Sequence, residues 1–244
     1  MDELYTRQMA ELQMDHWWYE GRRRILASVI GKLNLPEGCK ILEAGCGPGA
    51  NLGMLSQFGA LSAFDPEDFS ARHASILTGL EIKTGALPKS FPFENSFDLV
   101  CAFDVVEHID DDVSALKVLY QHTKGGGNAI FTVPAFQWLW SAHDEKNHHK
   151  RRYTKKQLKS SLEKAGYQVD FISYYNFFLF PLAASVRLFK KMFHKQEEAE
   201  IKMPSGFMNS LFCNIFSLEK EFLSVGFPFG LSILAVCKKG GGNE

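Results

Sequence analysis

The chain carries almost no net charge: 27 Lys and Arg against 28 Asp and Glu leave a formal −1 over 244 residues. That balance argues against a nucleic-acid partner held mainly through its phosphates, and none is expected. Cysteine is scarce. Cys39, Cys46, Cys101, Cys213 and Cys237 are scattered, odd in number and form no C-x-x-C pair, which excludes a disulfide framework or a zinc ribbon and suits a reducing cytoplasm. Residues 1–13 alternate charged and apolar without a continuous apolar stretch, so no secretory signal is expected. The longest apolar run, 177–186, stops at Arg187, well short of the ~18 residues a membrane-crossing helix requires. The closing Gly240-Gly241-Gly242-Asn243-Glu244 reads as a tail.

Glycine, by contrast, is concentrated where it carries chemistry. Ile41-Leu42-Glu43-Ala44 runs directly into Gly45-Cys46-Gly47-Pro48-Gly49, joining an apolar strand to a turn in which bare backbone can approach a ligand. The spacing is G-x-G-x-G, not the G-x-G-x-x-G that normally receives a pyrophosphate. Glu43, two residues before the first glycine, would repel a phosphate and welcome a cation. The next strand-like run ends in Asp65-Pro66, at the distance where doubly wound folds place an acid on the ribose hydroxyls. With Glu43, the glycines and Asp65 in this order, the chain resembles the class I S-adenosylmethionine-dependent methyltransferases; Pro134, the Trp-rich run after it and then Asp144, His149 and Arg151-Arg152-Tyr153 resemble a bacterial small-molecule subgroup of the type 11/12 kind.

The rest of the chain is consistent with one α/β domain over 1–244. Strands are expected at 40–44, 61–64, 80–84, 97–103, 128–133, 167–174 and 231–237, and helices near 17–33, 50–58, 68–77, 112–123 and 155–165. Thr154 and Gln157 form a capping-box pattern before the last of these and Gly166 a stop after it. Such alternation favours a parallel sheet with helices on both faces. The resemblance implies a Rossmann-like seven-stranded methyltransferase sheet whose last strand enters antiparallel. It also marks two additions: an N-terminal helical lid over 1–35, and a helical insertion over 176–228 where the family usually needs a short turn. A connection of that length is usually functional.

The resemblance also assigns a cofactor site for S-adenosylmethionine: Glu43, Gly45, Cys46, Gly47 and Gly49 at the turn, Asp65 and Pro66 at the ribose, and Gly85, Ala86 and Leu87 at the adenine. The acid usual at the adenine is missing, so backbone groups are expected to act there. Phe103 and Asp104, at the carboxyl end of the fourth strand, would border the methionine end, with Glu107 and His108 supporting the loop beyond. In His16-Trp17-Trp18-Tyr19-Glu20-Gly21-Arg22-Arg23-Arg24, Trp18 would shield the sulfonium and Arg23 would meet the cofactor carboxylate.

After the fifth strand, two tryptophans, His143, Asp144, His149, Arg151, Arg152 and Tyr153 fall within a short stretch. A substrate-facing loop accounts for them better than a plain connection. For a hydroxyl acceptor, His149 or His143 would take the proton, Asp144 would orient the imidazole and Tyr153 would hold substrate. One of Arg151 and Arg152 would lie on a solvated basic face and the other would pair with Asp144 or meet an acidic substrate. Zinc on His143, His148, His149 and Asp144 was weighed and no metal is expected, because the spacing lacks a helical H-E-x-x-H face and no cysteine is near. The acceptor is expected to be a small molecule, with a phenolic, saccharide or lipid-linked hydroxyl. The apolar run 177–186, the cations Arg187, Lys190, Lys191, His194 and Lys195 and the Phe- and Leu-rich 208–223 would serve a peripheral contact at the inner face of a membrane, a lid or a homodimer face equally well. The competing readings are a cofactor-binding protein without catalysis and, disfavoured by the glycine spacing and Glu43, a nicotinamide-dependent oxidoreductase.

Overall fold

An apolar run such as 40–44 is stable as a strand only when both of its faces are covered. In the computed structural model, which describes residues 10–192 and 203–241, it forms β1 (Lys40–Ala44) inside a seven-stranded sheet. The other strands are β2 (Ala60–Asp65), β3 (Ile82–Thr84), β4 (Phe97–Phe103), β5 (Thr123–Pro134), β6 (Gln168–Tyr175) and β7 (Ser232–Lys238). Their spatial order is β3-β2-β1-β4-β5-β7-β6. The first five pair in parallel, and β7 inserts antiparallel between β5 and β6. This is the Rossmann-like sheet expected. The order reverses between β1 and β4, so the carboxyl ends of those strands open a crevice at the switch point.

Two strands differ from expectation by more than one residue. Residues 80–84 yield a strand only over Ile82–Thr84, because the preceding helix runs to Thr78, Gly79 ends it in a left-handed conformation (φ 71°), and Thr78 Oγ1 then accepts from the Leu80 amide at 3.3 Å. β5 starts five residues before 128, the glycine-rich 125–127 being carried within the strand, with Gly126 at φ 74°.

The helices are α1 (Trp17–Ile30), α2 (Leu52–Leu55), α3 (Asp68–Thr78), α4 (Asp112–Gln121), α5 (Ala142–Lys146) and α6 (Lys155–Ala165). α6 has the boundaries the capping box implied: the Thr154 amide donates to Gln157 Oε1 at 2.8 Å, and Gly166 closes the helix at φ 109°. Between β6 and β7 lie α7 (Phe180–Met192), α8 (Gly206–Ser217) and α9 (Glu219–Phe222). His194 and Lys195 fall outside the described residues, as do 1–9 and 242–244. Among the described residues no helix is long and apolar enough to cross a membrane.

The insertion is sewn onto both the sheet and the N-terminal helix. Phe216 of α8 is fully buried, stacks on Tyr175 at the end of β6 and lies so close to Gly21 of α1 that a Cβ there would meet its ring at 2.5 Å. The Trp17 amide donates to Asn209 Oδ1 at 2.8 Å, capping α1 from α8. Glu219, fully buried, accepts from the amides of Phe177 at 2.7 Å and Phe178 at 2.9 Å.

Candidate active site

The crevice holds one cavity of about 950 Å³ that runs from the glycine turn to the loop after β5. This is the upper end of the roughly 300–1,000 Å³ usual for small-molecule sites, room for more than one ligand.

On the β1 side the wall is mostly main chain. Gly45 (φ 67°) and Gly47 (φ 53°) both adopt left-handed backbone; a Cβ on Gly45 would lie 2.8 Å from Val105, and one on Gly47 would meet nothing within 4 Å. Gly45, Cys46 and Gly47 line the cavity. Gly49 does not: a Cβ there would press on Ala74 of α3 at 2.9 Å, so it sets the packing of the turn. The amide of Gly47 does not point free into the crevice but donates to Asp65 Oδ2 at 2.8 Å, while the Glu67 amide donates to Oδ1 at 3.0 Å. Asp65 and Pro66 lie on the wall, and burial pushes the Asp65 carboxyl up to about 6. Glu43 lies beneath the turn instead of on the wall, fully buried and pushed up to about 8 by desolvation. Asn51 Nδ2 donates to its Oε1 at 2.8 Å, leaving Glu43 Oε2 and Asn51 Oδ1 without hydrogen-bond partners among the described residues. Ala86 and Leu87 reach the cavity. Gly85 is behind them, where a Cβ would meet the Ser90 carbonyl at 2.7 Å.

Phe103 and Asp104 close this half. Asp104 is held at φ 57°, with its amide donating to the Thr132 carbonyl at 2.9 Å. Its carboxylate pairs with Arg22, whose guanidinium stacks over the Trp18 ring at 4.6 Å. Here the structure corrects the choice of arginine: Arg23 turns away to Glu20 (2.8 Å) and the Gln13 carbonyl (2.7 Å), and it is Arg22 that lines the cavity. Tyr19, Arg22 and Leu26 share the buried face of α1 at three- and four-residue spacing, a helical phase that could have singled out Arg22. Left-handed glycines open to the crevice, a buried acid with an unpartnered oxygen, a ribose-side carboxylate and a wall arginine together fit a nucleoside carrying a cation and an amino-acid end.

On the β5 side the wall is side chain. Asp144 is fully buried, and Arg152 grips it through Nε at 2.7 Å and Nη2 at 2.8 Å, so Arg152 is the arginine that pairs with Asp144. Arg151 pairs with Asp112 at 3.3 Å and donates to the Asp110 carbonyl at 2.7 Å, away from any free basic face. The Asp144 carboxyl is held below the usual range: its desolvation is outweighed by hydrogen bonds from His149 and Arg152. As a carboxylate it accepts from His149 Nδ1 at 2.9 Å, which leaves Nε2 bare. His143 and His149 both line the cavity, with ring centroids 6.2 Å apart; desolvation pushes His143 down to about 4. Tyr153 does not reach substrate. Its hydroxyl donates to Asp112 at 2.8 Å, behind the wall, and burial pushes the phenol up.

The model of the methyltransferase domain family matches residues 13–170. The chain belongs to that family. Its sheet and crevice are those of class I, whose cofactor is S-adenosylmethionine, so the resemblance seen in the turn holds. The chain is 27% identical over 151 residues to the malonyl-[acyl-carrier protein] O-methyltransferase of Enterobacter lignolyticus strain SCF1, a match covering 59% of this chain and 60% of that relative's length. A chain from the complex of the Haloferax volcanii Trm112 methyltransferase activator with a methyltransferase aligns with a TM-score of 0.63 over 99% of this chain and 96% of its own, at 15% identity. An S-adenosylmethionine-dependent methyltransferase from Clostridium acetobutylicum ATCC 824 aligns with a TM-score of 0.59 over 91% and 92%, at 14% identity. At these identities the likeness is one of fold.

The cavity wall also contains residues to which the sequence gave no place on it. Asn51 lines the cavity beside the turn. Glu107 lines it too, with no exposure and neither carboxylate oxygen hydrogen-bonded among the described residues. Leu182, Ala183, Val186 and Arg187 of α7 line the cavity at the end away from the glycine turn; the apolar run 177–186 gave no direction for its face.

Proposed function

We propose that this methyltransferase moves the methyl group of S-adenosylmethionine onto a hydroxyl of a small phenolic, saccharide or lipid-linked acceptor. The observation that carries the reading is His149: its Nδ1 is held by a buried carboxylate while its ring lines the same cavity as the glycine turn. When bound, the cofactor supplies an electrophilic methyl on a positively charged sulfur, and in-line positioning supplies much of the acceleration. His149 accepts the acceptor's proton at Nε2, Asp144 stabilises the imidazolium that results, and Arg152 keeps Asp144 ionised and in place. Arg22 and Asp104 hold the amino-acid end, and Trp18 excludes water from it. The N-terminal segment 1–35 acts as a lid, and the insertion 176–228 serves both as its anchor, through α8, and as the far wall of the acceptor pocket, through α7. The Enterobacter relative is by name an O-methyltransferase, which agrees with an oxygen acceptor.

Calorimetry with S-adenosylmethionine, S-adenosylhomocysteine and NAD, followed by mass-spectrometric acceptor screening, tests this reading. Binding of both sulfur nucleotides and a methylated hydroxyl product are expected. Binding of NAD alone would overturn the cofactor. Tight binding of both sulfur nucleotides with no product from any class of acceptor would leave a cofactor-binding protein without catalysis.

A further inference from the structure

Three potential metal ligands meet at the acceptor end of the cavity, from two segments far apart in the chain. One ligand atom each from Glu107, His108 and His149 lies within 4.8 Å of the others, and all three residues line the cavity. Glu107 has no solvent exposure and both of its oxygens lack a hydrogen-bond partner among the described residues, an arrangement that is costly unless something compensates the carboxylate. His149 has one nitrogen already tied down, Nδ1 on Asp144 at 2.9 Å. A second acceptor that fixes the tautomer and leaves the other nitrogen for an ion is the usual outer shell of a metal-bound histidine.

We propose that Glu107, His108 and His149 together bind one divalent first-row transition-metal ion at the acceptor end of the cavity. Two imidazoles and one carboxylate suit manganese, iron, cobalt or zinc better than magnesium or calcium, which prefer all-oxygen sets. No metal was expected on His143, His148, His149 and Asp144, and that set does not form: Asp144 is taken by Arg152, and the ligands beside His149 come from the exit of β4. The ion's chemical use rests on the function proposed above. Three protein ligands leave positions open toward the cavity, where an acceptor hydroxyl coordinates; its pKa falls and its proton leaves to bulk water. With the ion bound, His149 Nε2 would be a ligand and the ion would take over the ionising of the hydroxyl; in the metal-free site His149 keeps the role of base.

The test is titration of the chelator-treated full chain with Co²⁺ and with Mn²⁺, followed by calorimetry and, for cobalt, by its visible absorption, in the wild type, Glu107→Gln and His108→Asn. One ion per chain is expected, with affinity lowered at least about tenfold in each variant, since even outer-shell changes cost about 10–100-fold. Thermal unfolding and S-adenosylmethionine titration of the same samples show whether each variant is folded, and His108→Asn decides the matter if Glu107→Gln is not. A wild type that binds neither ion one to one, or folded variants that bind as the wild type does, would overturn the proposal. Metal binding without S-adenosylmethionine binding would overturn the function proposed above and leave the metal site standing; the converse would do the reverse.

Discussion

Along β1 and β2 the cavity is walled by main chain, with Gly45 and Gly47 in left-handed conformations and Asp65 tied to the turn by two amides. Beyond β4 and β5 it is walled by side chains whose positions depend on one another: Arg152 holds Asp144, and Asp144 holds His149. The first half presents glycine backbone to the cavity, and a Cβ on Gly45 would press on Val105 at 2.8 Å. The second has a chain of dependencies around one buried carboxylate. A main-chain site is broken by volume, whereas a side-chain site is broken by removing a charge, and this difference separates cofactor binding from turnover.

The sharpest way to break the comparison is Asp144→Asn. It leaves the buried Arg152 guanidinium without its counter-charge, and removing one partner of such a pair costs about 3–5 kcal/mol; urea unfolding should show that loss, and a change under about 1 kcal/mol would mean the two do not depend on each other. His149→Gln should come next. Turnover is expected to fall by about 10²–10⁴-fold, with S-adenosylmethionine affinity within twofold of the wild type by calorimetry, and a joint loss of both would erase the division. Gly47→Arg should do the opposite. Backbone strain of about 1–3 kcal/mol at a left-handed position, added to a side chain pushed into the cavity, is expected to weaken the cofactor roughly 10–100-fold while the far-UV circular dichroism stays that of the wild type.

The smallest effect sharpens the comparison from outside the cavity. Glu219, which ties α9 to the exit of β6, is pushed up to about 7 by burial, above the 4.5 of a free glutamate. The folded state therefore holds a proton that the unfolded state releases between those values. Its contribution is fully present below about pH 4.5 and is lost as pH rises through 7, by on the order of 3 kcal/mol. Stability curves of the wild type and Glu219→Gln should converge at the acid end and separate as pH rises, with the wild type falling more steeply; parallel curves would mean that the carboxyl is solvated.

Features encoded locally were legible in the sequence. The strand into the glycine turn, Asp65 at the end of β2 and the Thr154–Gln157 cap each depend on neighbours in the chain, and each occurs where spacing placed it. The errors fall where a side chain's direction matters. Arg22, Arg23 and Arg24 are interchangeable as letters, yet only Arg22 lies on the buried face of α1. Tyr153 is adjacent to Arg152, but successive residues of an extended segment point opposite ways, and its hydroxyl goes to Asp112. Gly49 and Gly85 belong to the pattern of the site while serving its packing against Ala74 and Ser90.

By itself the sequence determined the order of strands and helices, the cofactor turn and the family, because these rest on periodicity, on glycine's conformational freedom and on contacts within a few residues. Which charges face one another was decided by the tertiary structure alone. The loop after β5 docks on the exit of β4, where the Lys150 amide donates to the Glu107 carbonyl at 2.8 Å, and that contact brings His149 to Glu107 and His108. No local preference encodes such a meeting, since it exists only once the parallel sheet has set two distant strand ends side by side.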